Sequence, residues 1–138
     1  MAKTDGYRRQ HDMLQMLMKG FWDDLNRLPE IDQPKIRREL TALAVKIRNH
    51  LILEDKSLYP RLLDHEDEEV RQLAQKFVAQ MGSISDDFAA YLDKWSMPEN
   101  ISEEAAAFRA DTRAILNRLE ARIEQENEEL YPLADKLL

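Results

Sequence analysis

Four apolar stripes of similar length constrain this chain more than any other feature. Three breaker-rich stretches, "LPEIDQP", "DHEDEE" and "SMPENIS", divide it into four long segments. Within each segment apolar residues recur at alternating three- and four-residue steps, the period of an amphipathic helix. The first stripe is Tyr7, His11, Leu14, Met18, Phe21, Leu25 and Leu28, and the second is Ile36, Leu40, Leu43, Ile47, His50, Glu54, Leu58 and Leu62. The third is Val70, Leu73, Phe77, Met81, Ile84, Phe88, Tyr91 and Trp95, and the fourth Phe108, Thr112, Ile115, Leu119, Arg122, Glu126, Leu130 and Leu133. Long helices joined by short turns pack best as an all-α, antiparallel up-down-up-down four-helix bundle. Turns are expected near residues 29–33, 63–67 and 97–102, with Asp32 and Ser102 as helix N-caps. One domain over residues 1–138 accommodates all four helices.

Composition narrows the function classes. A net charge of -7 argues against a nucleic-acid partner, because phosphate contact needs a basic surface. With no cysteine, any metal site must be built from nitrogen and oxygen ligands. The N-terminal "MAKTDGYRRQHDML" has no apolar core of a signal peptide, and no apolar run reaches the roughly 20 residues that span a bilayer. The expected location is cytoplasmic, with no membrane partner.

The polar exceptions on the stripes carry the functional signal. His11, His50, Glu54, Arg122 and Glu126 stand where the period calls for core residues. Buried charge is costly unless it is paired or bound to metal. His11 lies about twenty residues before the centre of the first turn and His50 about nineteen after it, so at roughly 1.5 Å per residue they reach one level. The same count from the other turns brings Met81 and Arg122 to that level. Two imidazoles and two carboxylates without sulfur suit iron, manganese or zinc.

One motif is written twice: "HLILEDKSLYP" at residues 50–60 and "RIEQENEELYP" at residues 122–132. An early histidine, His-x3-Glu running into Leu-Tyr-Pro, and a second copy in the last helix resemble the hemerythrin-like (HHE cation-binding) domain family over essentially the whole chain. That family carries a histidine on helix 1, His-x3-Glu on helix 2, a histidine on helix 3 and His-x3-Glu on helix 4. Together these hold two irons, used to bind dioxygen or to sense oxygen, redox state or iron.

The resemblance implies that His11, His50, Glu54 and Glu126 are metal ligands. Two positions depart from the pattern. Arg122 stands at the helix 4 histidine, and Met81 at the helix 3 histidine; Ser83 is closer by raw spacing but points off the stripe. A guanidinium cannot coordinate a metal, yet it pairs well with Glu126 or Glu54 and can supply the charge of a missing ion.

Two functional readings follow. In one, at most one ion per chain (iron, or another divalent metal such as zinc or manganese) serves sensing or regulation rather than oxygen carriage. In the other, no metal binds, and an Arg-Glu network stabilises a helical adaptor. Neither is an enzyme. A protein partner or homodimer is compatible with both. Outside the cluster, His65 in its acidic turn reads as a surface or capping residue. Tyr59 and Tyr131, each before a proline, read as packing and hydrogen-bonding residues at the site's end of the bundle. His11 alone could equally be a core histidine hydrogen-bonded to Glu54, and His50 with Glu54 an ion pair within one helix.

Overall fold

The computed structural model describes residues 4–137, all of whose regular elements are helical. The first rod is α1 (Asp5–Leu25) and the second begins with α2 (Gln33–Leu53). A five-residue π-turn, Glu54–Leu58, leads α2 directly into α3 (Tyr59–Leu63). The third rod is broken into α4 (Glu68–Met81) and α5 (Ile84–Lys94). A short α6 (Pro98–Glu103) precedes α7 (Ala105–Gln125), which passes through a second π-turn, Glu126–Leu130, into α8 (Tyr131–Leu137). No helix among the described residues is long and apolar enough to cross a membrane.

Cross-links at the two ends fix the directions of the rods. At one end the Thr4 amide and hydroxyl both donate to Asp135 Oδ1 at 2.8 Å, tying the start of α1 to α8. There too, His65 accepts from the Asp67 amide and donates through Nε2 to the Leu137 carbonyl at 3.0 Å, the capping role expected of it. At the other end Arg109 of α7 donates to the carbonyls of Leu28 and Pro29, just past α1, and Arg37 of α2 bonds the Ser96 carbonyl after α5. Successive rods therefore alternate in direction, as the stripes predict.

The core is what the stripes supply: Leu14, Met18, Phe21 and Leu25 meet Ile36, Leu43, Ile47, Phe77, Phe88, Phe108 and Leu119, all buried. Each such side chain contributes roughly 1.5–3 kcal/mol on burial, enough in sum to support a buried charged layer. Several expectations fail locally, Tyr7 and Leu73 being only partly buried. Leu28 is 58% exposed, because α1 stops at Leu25, and Pro29 disfavours helical backbone at the residue before it. Asn26 closes that helix instead, its side chain donating to the Trp22 carbonyl. Ser102 is no N-cap: it lies inside α6, whose start at Pro98 uses the proline preference for the first helical turn. Ile101 anchors that extra helix in the core. Leu133 is only partly buried, and Ala134 takes the core position instead. Asp32 does cap α2, accepting from the Lys35 amide.

The two π-turns have one cause. In an uninterrupted α-helix Pro60 would have no N–H for the Lys56 carbonyl and would press its ring against it, and Pro132 would do the same at Glu128. Widening the preceding turn by one residue relieves this: the Tyr59 amide bonds the Glu54 carbonyl, and the Tyr131 amide bonds the Glu126 carbonyl. As a result a glutamate and the tyrosine five residues later both face the interior.

Candidate metal centre

The layer assembles from three of the four rods. His11 comes from α1, His50 from the last turn of α2, Glu54 and Glu126 from the first positions of the two π-turns, and Arg122 from the last turn of α7. None is more than 5% exposed. One ligand atom from each of His11, His50, Glu54 and Glu126 can be chosen so that all lie within 4.8 Å of one another. His11 Nε2 is 3.2 Å from Glu126 Oε1 and 3.8 Å from Glu54 Oε1; His50 Nε2 is 2.5 Å from Glu54 Oε1.

Their backs are held by groups on the same elements. His11 Nδ1 meets the Asn127 side-chain oxygen at 2.8 Å, and His50 Nδ1 meets the Gln10 side-chain oxygen at 2.6 Å. An amide oxygen only accepts, so each Nδ1 carries the proton and each Nε2 turns inward. Tyrosines do the same for the carboxylates, and they do it crosswise. Tyr59, of the first motif copy, donates to Glu126 Oε2 at 2.6 Å; Tyr131, of the second, donates to Glu54 Oε2 at 2.8 Å. The outer carboxylate oxygens are thereby occupied. His50 Nε2, Glu54 Oε1 and Glu126 Oε1 are left buried without a hydrogen-bond partner among the described residues. Three buried acceptors aimed at one point, each oriented by a second hydrogen bond, are what a metal ligand set requires.

Arg122 occupies the other side of the layer. Its Nε donates to Glu126 Oε2 and its Nη2 to Asp55 Oδ1, each at 3.2 Å, with Glu54 Oε1 at 3.8 Å. The guanidinium also lies over the Tyr59 ring, 5.4 Å from its centroid. Met81 is buried beside it, on the wall of a cavity that both residues line. Ser83 is exposed and bonds Asp87 and Arg118, so it is no part of the layer.

Electrostatics follow from this crowding. Burial opposes charge on His11, but the carboxylates of Glu126 and Glu54 and the Asn127 oxygen outweigh it and push the imidazole up to about 9. Burial also raises Glu54, yet the two imidazoles overcome it and hold this carboxyl well below the usual range. Glu126 is shifted the other way, by burial and by the neighbouring Glu54 charge. Burial and the adjacent carboxylates raise both tyrosines far above their ordinary range, so they remain donors.

Gln10, Asn127 and Asp55 were not singled out from the sequence. Each adjoins a candidate ligand in the chain, but immediate neighbours on a helix do not share a face, so no stripe marks them. The crosswise tyrosine bonds were equally hidden, because the five-residue step inside a π-turn breaks the three-four pattern.

The fold and the layer define an antiparallel helical bundle with a buried nitrogen and oxygen ligand cluster in its interior. Residues 2–134 match the hemerythrin HHE cation binding domain, and the chain belongs to that family. No curated protein and no solved structure matches the chain.

Proposed function

We propose that this chain binds a single divalent metal ion, iron by the chemistry of its ligands, and uses it for sensing or regulation rather than oxygen carriage or catalytic turnover. The observation that carries this reading is the convergence of His11 Nε2, His50 Nε2, Glu54 Oε1 and Glu126 Oε1, with both imidazoles backed by amide oxygens. Two imidazoles with carboxylates suit ferrous iron among biological metals. Bound there, iron would supply a redox-active Lewis acid in a dry interior. The protein's own part is to hold both Nε2 lone pairs inward, to fix the outer carboxylate oxygens on Tyr59 and Tyr131, and to balance charge through Arg122.

Arg122 is also the reason for limiting the site to one ion. A permanent cation bonded to Glu126 fills the space of a second metal and cannot coordinate one. The same contact favours a second reading, in which Arg122, Glu54 and Glu126 form a self-sufficient network in a metal-free adaptor. Titration of the chelator-treated protein with ferrous iron under anaerobic conditions separates the two. One ion per chain, lost in His50→Ala, supports the metal-binding reading. No uptake supports the adaptor, and two ions overturn the single-site proposal.

A further inference from the structure

Beside the layer lies a half-open cavity of about 240 Å³ with an unusual floor. Its walls are Pro60, Leu63, Phe77, Val78 and Met81, and its polar elements are Tyr59, Asp55 and Arg122. Arg122 is 3% exposed, and it also borders the small interior space lined by His50, Glu54 and Glu126. One guanidinium therefore separates a surface pocket from the ligand cluster.

The partners of that guanidinium are not equivalent. Nε is committed to Glu126, which is fully buried, whereas Nη2 is held by Asp55, whose side chain is 43% exposed. Nη1 has no hydrogen-bond acceptor among the described residues. A guanidinium presents planar pairs of N–H donors matched to a carboxylate. Only the Asp55 side of this pair reaches water, so Asp55 is the partner that can be exchanged from the pocket.

We propose that this cavity is a binding site for a small organic carboxylate, its apolar body between Leu63, Phe77, Val78 and Met81 and its carboxylate on Arg122 in place of Asp55. The volume is below the roughly 300–1,000 Å³ of drug-sized pockets, which limits the ligand to about the size of one ring with its acid group. The site needs no metal, so it stands apart from the proposed function, although both meet at Arg122.

The test uses benzoate, with benzamide and benzylamine as uncharged and cationic counterparts. Binding to the full chain is followed by calorimetry and by methyl NMR of the methionines, with Met81 assigned through Met81→Leu. Chelator-treated and zinc-loaded protein are run in parallel. Benzoate is expected to bind both forms at least tenfold more tightly than either counterpart, shifting Met81 more than the exposed Met16 and Met97. Val78 is 43% exposed, so Val78→Trp fills the cavity from its rim without disturbing the core, and it should weaken binding at least tenfold. Asp55→Asn removes the competing carboxylate and should strengthen binding about threefold or more. Benzoate binding only in the zinc form and surviving Val78→Trp would place it on the metal and overturn the proposal. No binding, a preference for benzylamine, or weaker binding in Asp55→Asn would overturn it as well.

Discussion

Residues 50–60 and 122–132 share only a glutamate and a Leu-Tyr-Pro ending, yet they make the same structure and reach opposite chemistry. In both copies a helix ends in a π-turn that opens with a buried glutamate, and a Tyr-Pro pair then starts a short terminal helix. In both, the residue four before the glutamate is buried and contacts it: His50 lies 2.5 Å from Glu54, and Arg122 lies 3.2 Å from Glu126. A backbone device and a carboxylate are thus common to the copies, and the group facing the carboxylate differs. A neutral imidazole offers a lone pair to a metal; a guanidinium is itself the cation. The comparison teaches that a ligand set can be half replaced without altering the helix that carries it, provided the replacement restores the charge.

Substitution of the guanidinium should do the most damage. Arg122→Ala leaves Glu54 and Glu126 in a dry layer with no permanent counter-charge. Breaking a buried pair in this way costs about 3–5 kcal/mol at neutral pH. Urea denaturation should show that loss, partly restored by mild acid, which protonates a carboxylate, or by a divalent metal. A neutral Arg122→Ala would mean that the second copy does not depend on its cation.

The crosswise tyrosines rank next. Tyr131→Phe strips the hydrogen-bond donor from Glu54 Oε2, and an orphaned buried acceptor costs about 1–3 kcal/mol; Tyr59→Phe leaves Glu126 Oε2 with Arg122 Nε and should cost less. Tyr131 also lies 2.9 Å from His11 Nε2, so its removal should weaken metal binding more than removal of Tyr59. Equal effects on metal affinity would remove the asymmetry drawn between the copies.

Smaller still are the amide anchors. Gln10→Ala and Asn127→Ala free the Nδ1 side of one imidazole each and should lower metal affinity about 10- to 100-fold with modest change in stability. Isothermal titration with zinc gives the comparison, and unchanged affinity in both would show that the imidazoles are held by packing alone.

A pH dependence set by His11 follows from the same crowding. In the metal-free protein His11 is raised from its ordinary 6.5 to about 9 by its carboxylate neighbours. The stability it contributes is fully present below pH about 6.5 and is lost as pH rises through about 9. Denaturation midpoints of the chelated protein should fall across that window, and His11→Gln should flatten the fall.

The fold was legible because four stripes of matched length leave few alternatives, and His11, His50, Glu54, Arg122 and Glu126 stood out as polar residues on apolar faces. What escaped the sequence was local. Leu28 left the core because Pro29 ends the helical region early, and Ile101 entered it on a helix too short to show a period. Tyr59 and Tyr131 were expected to pack and hydrogen-bond at this end of the bundle. Their crossing to the opposite carboxylate depends on the π-turns, whose only trace in the sequence is a proline placed six residues after a glutamate.

Metal stoichiometry tests the central claim, that one half-site is kept and the other is replaced by an internal cation. Wild-type protein and the double variant Met81→His with Arg122→His are reconstituted anaerobically with ferrous iron, desalted and measured for iron per chain. The account predicts one ion in the wild type and a rise towards two in the variant; two in the wild type, or no rise in a folded variant, would contradict it.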